Sequence, residues 1–322
     1  MHFADTDHNR PFSKDPAVVY FNQRYWLYYS LSFHQERSLK GYAIGVATSP
    51  DLEHWTKAGE ILPAAPYEAN GLCAPGAIVL PSPGRDTPGV RRSGAALPDG
   101  PRGAERLHLF YQTYGNGPKD AICHAWSDDG LNFTRNPTNP IFSPHGSWNV
   151  GRAIDADVIA HGDLLYLFFA TRDPAMKVQM LGVASAGLAS GFVREAWTQR
   201  CDDSILRPEL PWEQDCIEAP ALCTHAGRFF MFYGGAYNNA PQQIGCAVSD
   251  DLLNWRRLSN QPLLPNGRPG SWNSSESGHP FAFTDRDGQV HLFFQGNANM
   301  GQSWYLSRAL IDWVDGLPVI KA

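Results

Sequence analysis

Five residues of the kinds that transfer protons or act as nucleophiles recur along the chain at intervals of about sixty positions. They are Asp15, Cys73, Asp155, Glu218 and His279, with gaps of 58, 82, 63 and 61 residues. Three of them are carboxylic acids. Carboxyl groups that converge on one pocket raise one another's proton affinity and hold unequal protonation states. One protonated and one ionised carboxyl is the pair that hydrolysis of a glycosidic bond requires.

The sequence around each of these residues predicts a β-hairpin. Residues 212–235 are the clearest case, because the short apolar run that begins at Glu218 is followed by a polar turn at 224–227 and an aromatic run at 229–233. Short apolar runs bounded by glycine and polar residues are typical of strands. A period near sixty with three or four strands per unit indicates a propeller blade. We therefore predict an all-β fold, a single five-bladed β-propeller.

The predicted domain covers residues 1–322, with blades at roughly 11–62, 70–143, 148–207, 212–265 and 273–316. The first strand of a blade lies beside the propeller axis, so the five leading residues should meet in one central pocket. The long second gap contains residues 81–106, rich in Pro, Gly and Arg, which we interpret as a surface loop. Segments such as 249–255, with the pattern Ser-Asp-x-Leu-x-x-Trp, predict a turn bonded by Ser and Asp with the Trp packed between blades.

Composition narrows the function. The net charge of −6 argues against a nucleic-acid surface and fits a neutral or weakly charged ligand. The six cysteines form no Cys-x-x-Cys pair and most lie in apolar runs, so we expect buried free thiols and no zinc site. The first residues lack the pattern of a signal peptide, and no apolar run is long enough to span a membrane. We expect a cytoplasmic protein, or a secreted one if a leader has been removed.

Other interpretations of these residues stay open. Any single acid could cap a turn or pair with Arg152 or Arg172, although repetition at one position of the unit favours catalysis. Trp148, Trp212 and Trp272 enter three blades at one level and could stack on a sugar or seal the blades, and sealing is the commoner role.

Four short segments resemble the blade openings of glycoside hydrolase family 43 and of the related family 62. They are Ser13-Lys14-Asp15-Pro16, Cys73-Ala74-Pro75, Ala153-Ile154-Asp155 and Ile217-Glu218-Ala219-Pro220. The resemblance runs from about residue 11 to 313 and implies a five-bladed propeller that cleaves non-reducing-end glycosides with inversion. It implies that Asp15 is the general base, that Glu218 is the general acid, and that Asp155 orients Glu218 and adjusts its pKa. It also implies that His279 can support a central metal ion such as Ca²⁺ through water.

Two departures from that family leave the sugar and the mechanism open. Cys73-Ala74-Pro75-Gly76 stands where the family usually has a Trp and an Asp around Ala-Pro. Arg172-Asp173-Pro174 resembles the Arg-Asp-Pro of the retaining, fructan-cleaving family 32, but here it follows a strand instead of opening a blade. We therefore favour Asp155 over Asp173 as the third carboxylate. A retaining β-fructosidase-like enzyme and a non-catalytic glycan-binding propeller are the alternatives.

The sequence thus predicts an exo-acting, inverting glycosidase for a furanoside or pentopyranoside of the arabinofuranosyl, xylosyl or galactofuranosyl class. Its partner is an oligosaccharide or glycoside substrate, with no nucleic acid and no membrane. Sugar sites use planar amides, guanidinium groups and aromatic rings. The candidate substrate-binding residues are Arg152, Arg172, Tyr237, Asn273, Glu276, His279 and Gln295.

Overall fold

The computed structural model describes residues 2–32, 41–82 and 105–321. Within these ranges 21 strands form five antiparallel sheets, and the inner strand of each sheet contacts the inner strands of both neighbouring sheets. These contacts close a ring, so the predicted five-bladed propeller is confirmed. Nearly all of the predicted surface loop at 81–106 lies outside the described residues. None of the described helices is long and apolar enough to cross a membrane.

Each blade is built from consecutive strands. Blade 1 contains β2 (Lys14–Phe21), β3 (Arg24–Ser32), β4 (Tyr42–Ser49) and β5 (Thr56–Ile61). Blade 2 contains β6 (Leu72–Pro81), β7 (Glu105–Thr113), β8 (Ile122–Ser127) and β9 (Thr134–Arg135). Blade 3 contains β10 (Ile154–His161), β11 (Leu164–Arg172), β12 (Gln179–Gly187) and β13 (Thr198–Gln199). Blade 4 contains β14 (Ile217–His225), β15 (Arg228–Gly235), β16 (Gln243–Ser249) and β17 (Arg256–Arg257).

Blade 5 differs from the others because it includes both ends of the chain. It contains β18 (Glu276–Thr284), β19 (Val290–Asn297), β20 (Tyr305–Val314) and β21 (Leu317–Ile320), and the short strand β1 (His2–Phe3) pairs with β20. The blade therefore extends past the predicted boundary of 273–316. Three 3-10 turns complete the described elements: Pro66–Glu68, Gly117–Lys119 and Arg194–Ala196.

All five inner strands carry a β-bulge at the same level, where two residues oppose a single aromatic residue of the second strand. The first residue of each bulge has a positive φ between 45° and 53°. These residues are Asp15, Ala74, Asp155, Ala219 and His279. Asp15, Asp155 and His279 are therefore true structural equivalents, brought to one level around the axis by the same local distortion.

The register corrects one part of the sequence prediction. The counterpart of Asp15 in blade 4 is Ala219, so Glu218 lies one residue before the predicted position, and Cys73 is displaced in the same way. Glu218 is paired with Gly234 on the second strand, just as Lys14 is paired with Ser30. Its side chain thus enters the pocket from an ordinary strand position beside the bulge.

The packing between blades follows the sequence pattern closely. Ser249 Oγ bonds Asp251 Oδ1 at 3.0 Å, and the ring of Trp255 packs edge-on against Phe168 of the preceding blade. The predicted Ser-Asp turn and its Trp contact are confirmed here. In blade 5 the corresponding residues 307–313 lie inside strand β20 instead. All six cysteines are free and only Cys201 is partly exposed, as predicted.

The tryptophans that precede blades 3, 4 and 5 pack against glycines of their own blades. Trp212 stacks on Tyr233, with ring centres 6.0 Å apart, and fills the space where Gly235 lacks a side chain. Trp148 and Trp272 lie against Gly182 and Gly296 in the same manner. These contacts pack each tryptophan into its own blade, so sealing between adjacent blades stays a prediction.

Several buried acids serve the fold. In blade 4, Glu213 is fully buried and accepts a hydrogen bond from the Tyr233 hydroxyl at 2.8 Å, while Arg257 pairs with it at 2.8 Å. Blades 1 and 2 repeat this group of a carboxylate, a tyrosine and a cation. The two further sets are Asp5 with Tyr29 and Lys57, and Glu68 with Tyr111 and Arg135. Because these carboxylates are fully compensated, they are structural and differ from the acids at the axis.

Candidate active site

The bulged residues of blades 1, 3 and 5 meet at the centre of the propeller. His279 Nε2 lies 3.4 Å from Asp15 Oδ1 and 3.3 Å from Asp155 Oδ1. The two carboxylate oxygens are therefore no farther apart than the sum of these distances. All three residues are 6–8% exposed. Two acids separated by 140 positions in the chain thus share one imidazole.

Glu218 reaches this group from blade 4 and is also buried. Its Oε1 accepts hydrogen bonds from Gln242 Nε2 at 2.6 Å and from Asn238 Nδ2 at 3.4 Å. Its Oε2 accepts one from Gln179 Nε2, and Cys216 Sγ lies 3.6 Å away. The carboxyl group is thus fixed by amide donors on both oxygens. Gln179 and Gln242 were not singled out by the sequence, although each stands at or next to the start of its blade's third strand.

The protein environment separates the proton affinities of these carboxyl groups. Burial raises the pKa of Glu218, and the negative charge of Asp155 raises it further, which outweighs the opposing effect of His279. Burial also acts on Asp15, but the nearby His279 and Lys14 cations outweigh it and hold the pKa of Asp15 below its ordinary value. Glu218 therefore holds its proton more tightly than an ordinary glutamate, and Asp15 loses its proton more readily than an ordinary aspartate.

His279 is the positive centre of the pocket. Burial alone lowers the pKa of a histidine, but the charges of Asp15 and Asp155 outweigh burial and raise the pKa of His279 to about 9. The imidazole is therefore protonated at neutral pH. It balances the two carboxylates that it bridges.

Lys14 is a second cation of the site. No role was predicted for Lys14 from the sequence, where it forms part of the segment Ser13-Lys14-Asp15-Pro16. Its Nζ lies 3.9 Å from Asp15 Oδ1 and 4.7 Å from the ring centre of Trp304. Burial lowers the pKa of Lys14, but the surrounding carboxylates Asp15, Glu276 and Glu218 outweigh burial and raise it. Because Lys14 shares its register position with Glu218, its side chain is directed toward the same pocket.

Side chains of one blade hold the bulge of the next blade. The backbone N–H of Asp155 donates to Gln112 Oε1 at 2.7 Å, and that of Asp15 donates to Gln295 Oε1 at 3.0 Å. Two further bonds of this kind run from His279 N to Gln242 Oε1 and from Ala74 N to Ser30 Oγ. Each acceptor belongs to the preceding blade, so these bonds fix the angles between blades as well as the positive φ values.

Three of the predicted substrate-binding residues lie on the Glu218 side of the pocket. Arg152 Nη1 and Arg172 Nε donate to Gln179 Oε1 at 3.2 and 3.0 Å, and Gln179 in turn binds Glu218. The Arg172 guanidinium lies 5.1 Å from the ring centre of Tyr237. Arg152 Nε is buried and has no hydrogen-bond partner in the described part of the chain.

The remaining predicted residues are placed differently. Glu276 and Gln295 are fully buried and bond each other at 2.7 Å behind Asp15, and burial raises the pKa of Glu276 to about 7. Asn273 donates to Ser277 Oγ at 2.9 Å, and no contact among the described residues joins it to the carboxylates. Asp173 Oδ1 accepts the backbone N–H groups of residues 177 and 178, so it caps the β11–β12 turn. Of the two candidates for the third carboxylate, Asp155 is the one that contacts His279.

The central group does not fit direct coordination of Ca²⁺. This ion takes six to eight oxygen ligands, and residues 2–32, 41–82 and 105–321 contain no group of three or more His, Cys, Asp or Glu side chains placed to hold a metal. His279 Nε2 also faces its neighbouring carboxylates as a cation. A hydrated ion beside His279 stays a prediction.

Comparison with known proteins identifies the family to which the chain belongs. The sequence model of the glycosyl hydrolases family 32 N-terminal domain matches residues 8–181, more than half of the chain. The chain belongs to this family. It is a glycoside hydrolase, and the matched part contains both Asp15 and Asp155. None of the curated protein sequences compared with the chain matches it.

Solved structures share the fold at low sequence identity. An endo-1,4-β-xylanase from Bacteroides thetaiotaomicron has a TM-score of 0.70 at 22% identity, over 98% of this chain and 96% of that one. An α-L-arabinofuranosidase from Lactobacillus brevis has a TM-score of 0.66 at 16% identity, over 95% and 93%. A family 32 β-fructofuranosidase from Bombyx mori has a TM-score of 0.68 at 15% identity, over 98% and 64%. The propeller of families 43 and 32 is thus the architecture of this glycoside hydrolase.

Proposed function

We propose that this glycoside hydrolase is an exo-acting, inverting enzyme with Glu218 as general acid and Asp15 as general base. The observation that carries the proposal is the opposite displacement of their pKa values in one buried group around His279. Glu218 donates its proton to the leaving oxygen while Asp15 removes a proton from the water that attacks the anomeric carbon. Asp155 holds His279 and raises the proton affinity of Glu218.

The surroundings of the carboxyl groups support the class of substrate. Asp15, Asp155 and Glu218 are each less than a tenth exposed, which suits entry of one terminal sugar better than passage of a long chain. The charges of Asp15 and Asp155 are balanced by Lys14 and His279. A balanced pocket suits an uncharged sugar, and the proposed class is an arabinofuranoside, a xyloside or a galactofuranoside.

A retaining β-fructosidase-like reaction is the second candidate, and the match to the family 32 domain favours it. The same residues would act, but Asp15 would attack the anomeric carbon and form a covalent intermediate. Retaining enzymes hold the two carboxyl groups at about 5–5.5 Å and inverting enzymes at about 6.5–9.5 Å. The configuration of the first product, followed by NMR during hydrolysis, separates the two reactions.

The substrate is tested with nitrophenyl α-L-arabinofuranoside, β-D-xyloside and β-D-galactofuranoside, and with sucrose as the fructoside. On the best substrate, Glu218→Gln and Asp15→Asn should each lower turnover on the order of 10³-fold or more, because each removes a proton-transfer group. Asp173→Asn is the matched control and should keep turnover near that of the unmodified enzyme. Near-normal turnover in either of the first two variants would reject the assignment.

A further inference from the structure

Gln242 lies at the boundary between blades 4 and 5, immediately before β16, and its side chain is fully buried. Its Nε2 donates to Glu218 Oε1 at 2.6 Å and to the Ala236 carbonyl at 2.9 Å. Its Oε1 accepts the backbone N–H of His279 at 2.9 Å. One amide group thus connects the carboxyl group of Glu218 directly to the residue that bridges Asp15 and Asp155.

Two glycines make room for this side chain. A Cβ atom on Gly278 would lie 1.9 Å from Gln242 Oε1, and one on Gly234 would lie 3.0 Å from Gln242 Cδ. The Gln242 backbone carbonyl also accepts the N–H of Ser277 at 3.1 Å. Because backbone of both blades lies against the amide, the position of Gln242 beside Glu218 is closely defined.

Gln242 differs from the other amides that hold the bulges. Gln112 and Gln295 also accept a backbone N–H across a blade boundary, but neither bonds Glu218 directly. Among the described side chains that accept a bulge N–H, only Gln242 also donates a hydrogen bond from the same amide to the Glu218 carboxyl. Gln242 therefore does more than join two blades, because it also holds the Glu218 carboxyl.

We infer that Gln242 is the positioning residue of the catalytic acid. It sets the direction of the Glu218 carboxyl relative to His279, and through His279 relative to the other two carboxylates. This inference rests on the proposed role of Glu218. A misplacement of about 1 Å in a reacting group costs on the order of 10²-fold in rate, so the bond matters for turnover even though it contacts no substrate.

The test uses two substrates that differ in their need for an acid. The dinitrophenolate group of a 2,4-dinitrophenyl α-L-arabinofuranoside departs without protonation. The methylphenolate group of a 4-methylphenyl α-L-arabinofuranoside must be protonated by an acid as it departs. Gln242→Met removes all three side-chain hydrogen bonds while keeping the length of the side chain. Gln242→Glu keeps the acceptor for His279 N–H and replaces the amide donor with a carboxyl group that faces Glu218, which preserves the blade boundary if the first variant folds poorly. Both should lose about 10- to 100-fold in kcat on the methylphenyl substrate and little on the dinitrophenyl substrate.

Two further variants make the result decisive. Gln289→Glu removes an equivalent amide donor, which bonds the Ile311 carbonyl at 2.8 Å elsewhere in blade 5, and it should leave the ratio of the two rates unchanged. Glu218→Ala should show the selective loss in its strongest form, and if it does not, the proposed function fails. If Glu218→Ala shows the selective loss but the Gln242 variants lose both rates equally or lose neither, the positioning role of Gln242 is overturned.

Discussion

Gly278→Ala displaces Gln242 without changing it. The new Cβ would lie 1.9 Å from Gln242 Oε1, and ordinary contact begins near 3.4 Å, so the amide must retreat by about 1.5 Å. This movement lengthens the 2.6 Å bond to Glu218 and the 2.9 Å bond to His279 beyond hydrogen-bond range. We expect a loss of about 10²-fold in kcat on a substrate that needs protonation, equivalent to about 2.7 kcal/mol in the activation barrier.

The same change should have a small effect on folding. Alanine favours a strand over glycine by roughly 0.5–1 kcal/mol, while each lost hydrogen bond costs roughly 0.5–1.5 kcal/mol. A urea titration followed by tryptophan fluorescence should therefore show a loss of no more than about 2.5 kcal/mol in the free energy of unfolding. The dinitrophenyl substrate should be hydrolysed at nearly the normal rate.

Gly187→Ala in β12 is the matched control, because a Cβ there meets no atom within 4 Å. It should leave turnover unchanged and should raise the free energy of unfolding by no more than about 1 kcal/mol. Full turnover of the Gly278 variant on the methylphenyl substrate would refute the reasoning, since the amide would then have moved without consequence. An equal loss on both substrates would refute it as well, because the damage would not be specific to the acid.

Two buried titratable groups give predictions about stability, each measured by urea unfolding at two pH values. Asp157 accepts the N–H of Leu222 at 2.7 Å, and burial raises its pKa to about 7, so its stabilising protonated form is lost as the pH rises. Between pH 5 and pH 8 this group should cost the unmodified protein about 2.5 kcal/mol of unfolding free energy, and Asp157→Asn should abolish that loss. Burial lowers the pKa of His108, which bonds His124 at 3.0 Å, to about 4, so the stability conferred by its neutral form is lost as the pH falls from 6.5 toward 4. Between pH 7.5 and pH 5 this histidine should cost the unmodified protein about 2 kcal/mol of unfolding free energy, and His108→Gln should abolish that loss. An unchanged pH dependence of stability in either variant would contradict the role assigned to its residue.

Much of the fold was predictable because its signals are local. The repeat of about sixty residues, the short apolar strands and the Ser-Asp turns each depend on neighbours in the sequence. The strand pairing of β1 with β20 was not predictable in this way. A two-residue strand has no periodicity of its own, and its place is decided only by the edge of a sheet at the other end of the chain.

The convergence of the central acids was predictable from the sequence, whereas the details of their placement were not. Asp15, Asp155 and Glu218 were identified from their repetition, but the prediction placed Glu218 in the position that Ala219 occupies. A bulge shifts the register by one residue and leaves little trace in the alternation of a short apolar strand. Gln242 was missed for a related reason, since a glutamine beside a strand has no signal until its blade neighbours are known.

The sequence by itself determined that five similar units form a ring and that acids at three inner strands face its axis, because strand patterning and spacing are properties of the chain alone. The tertiary structure decided which acid has a raised pKa and which has a lowered one. That distinction depends on burial, on the 3.3–3.9 Å contacts of His279 and Lys14, and on amide bonds across blade boundaries. Electrostatic energies depend on distance in space, and distances between blades exist only after the ring has closed.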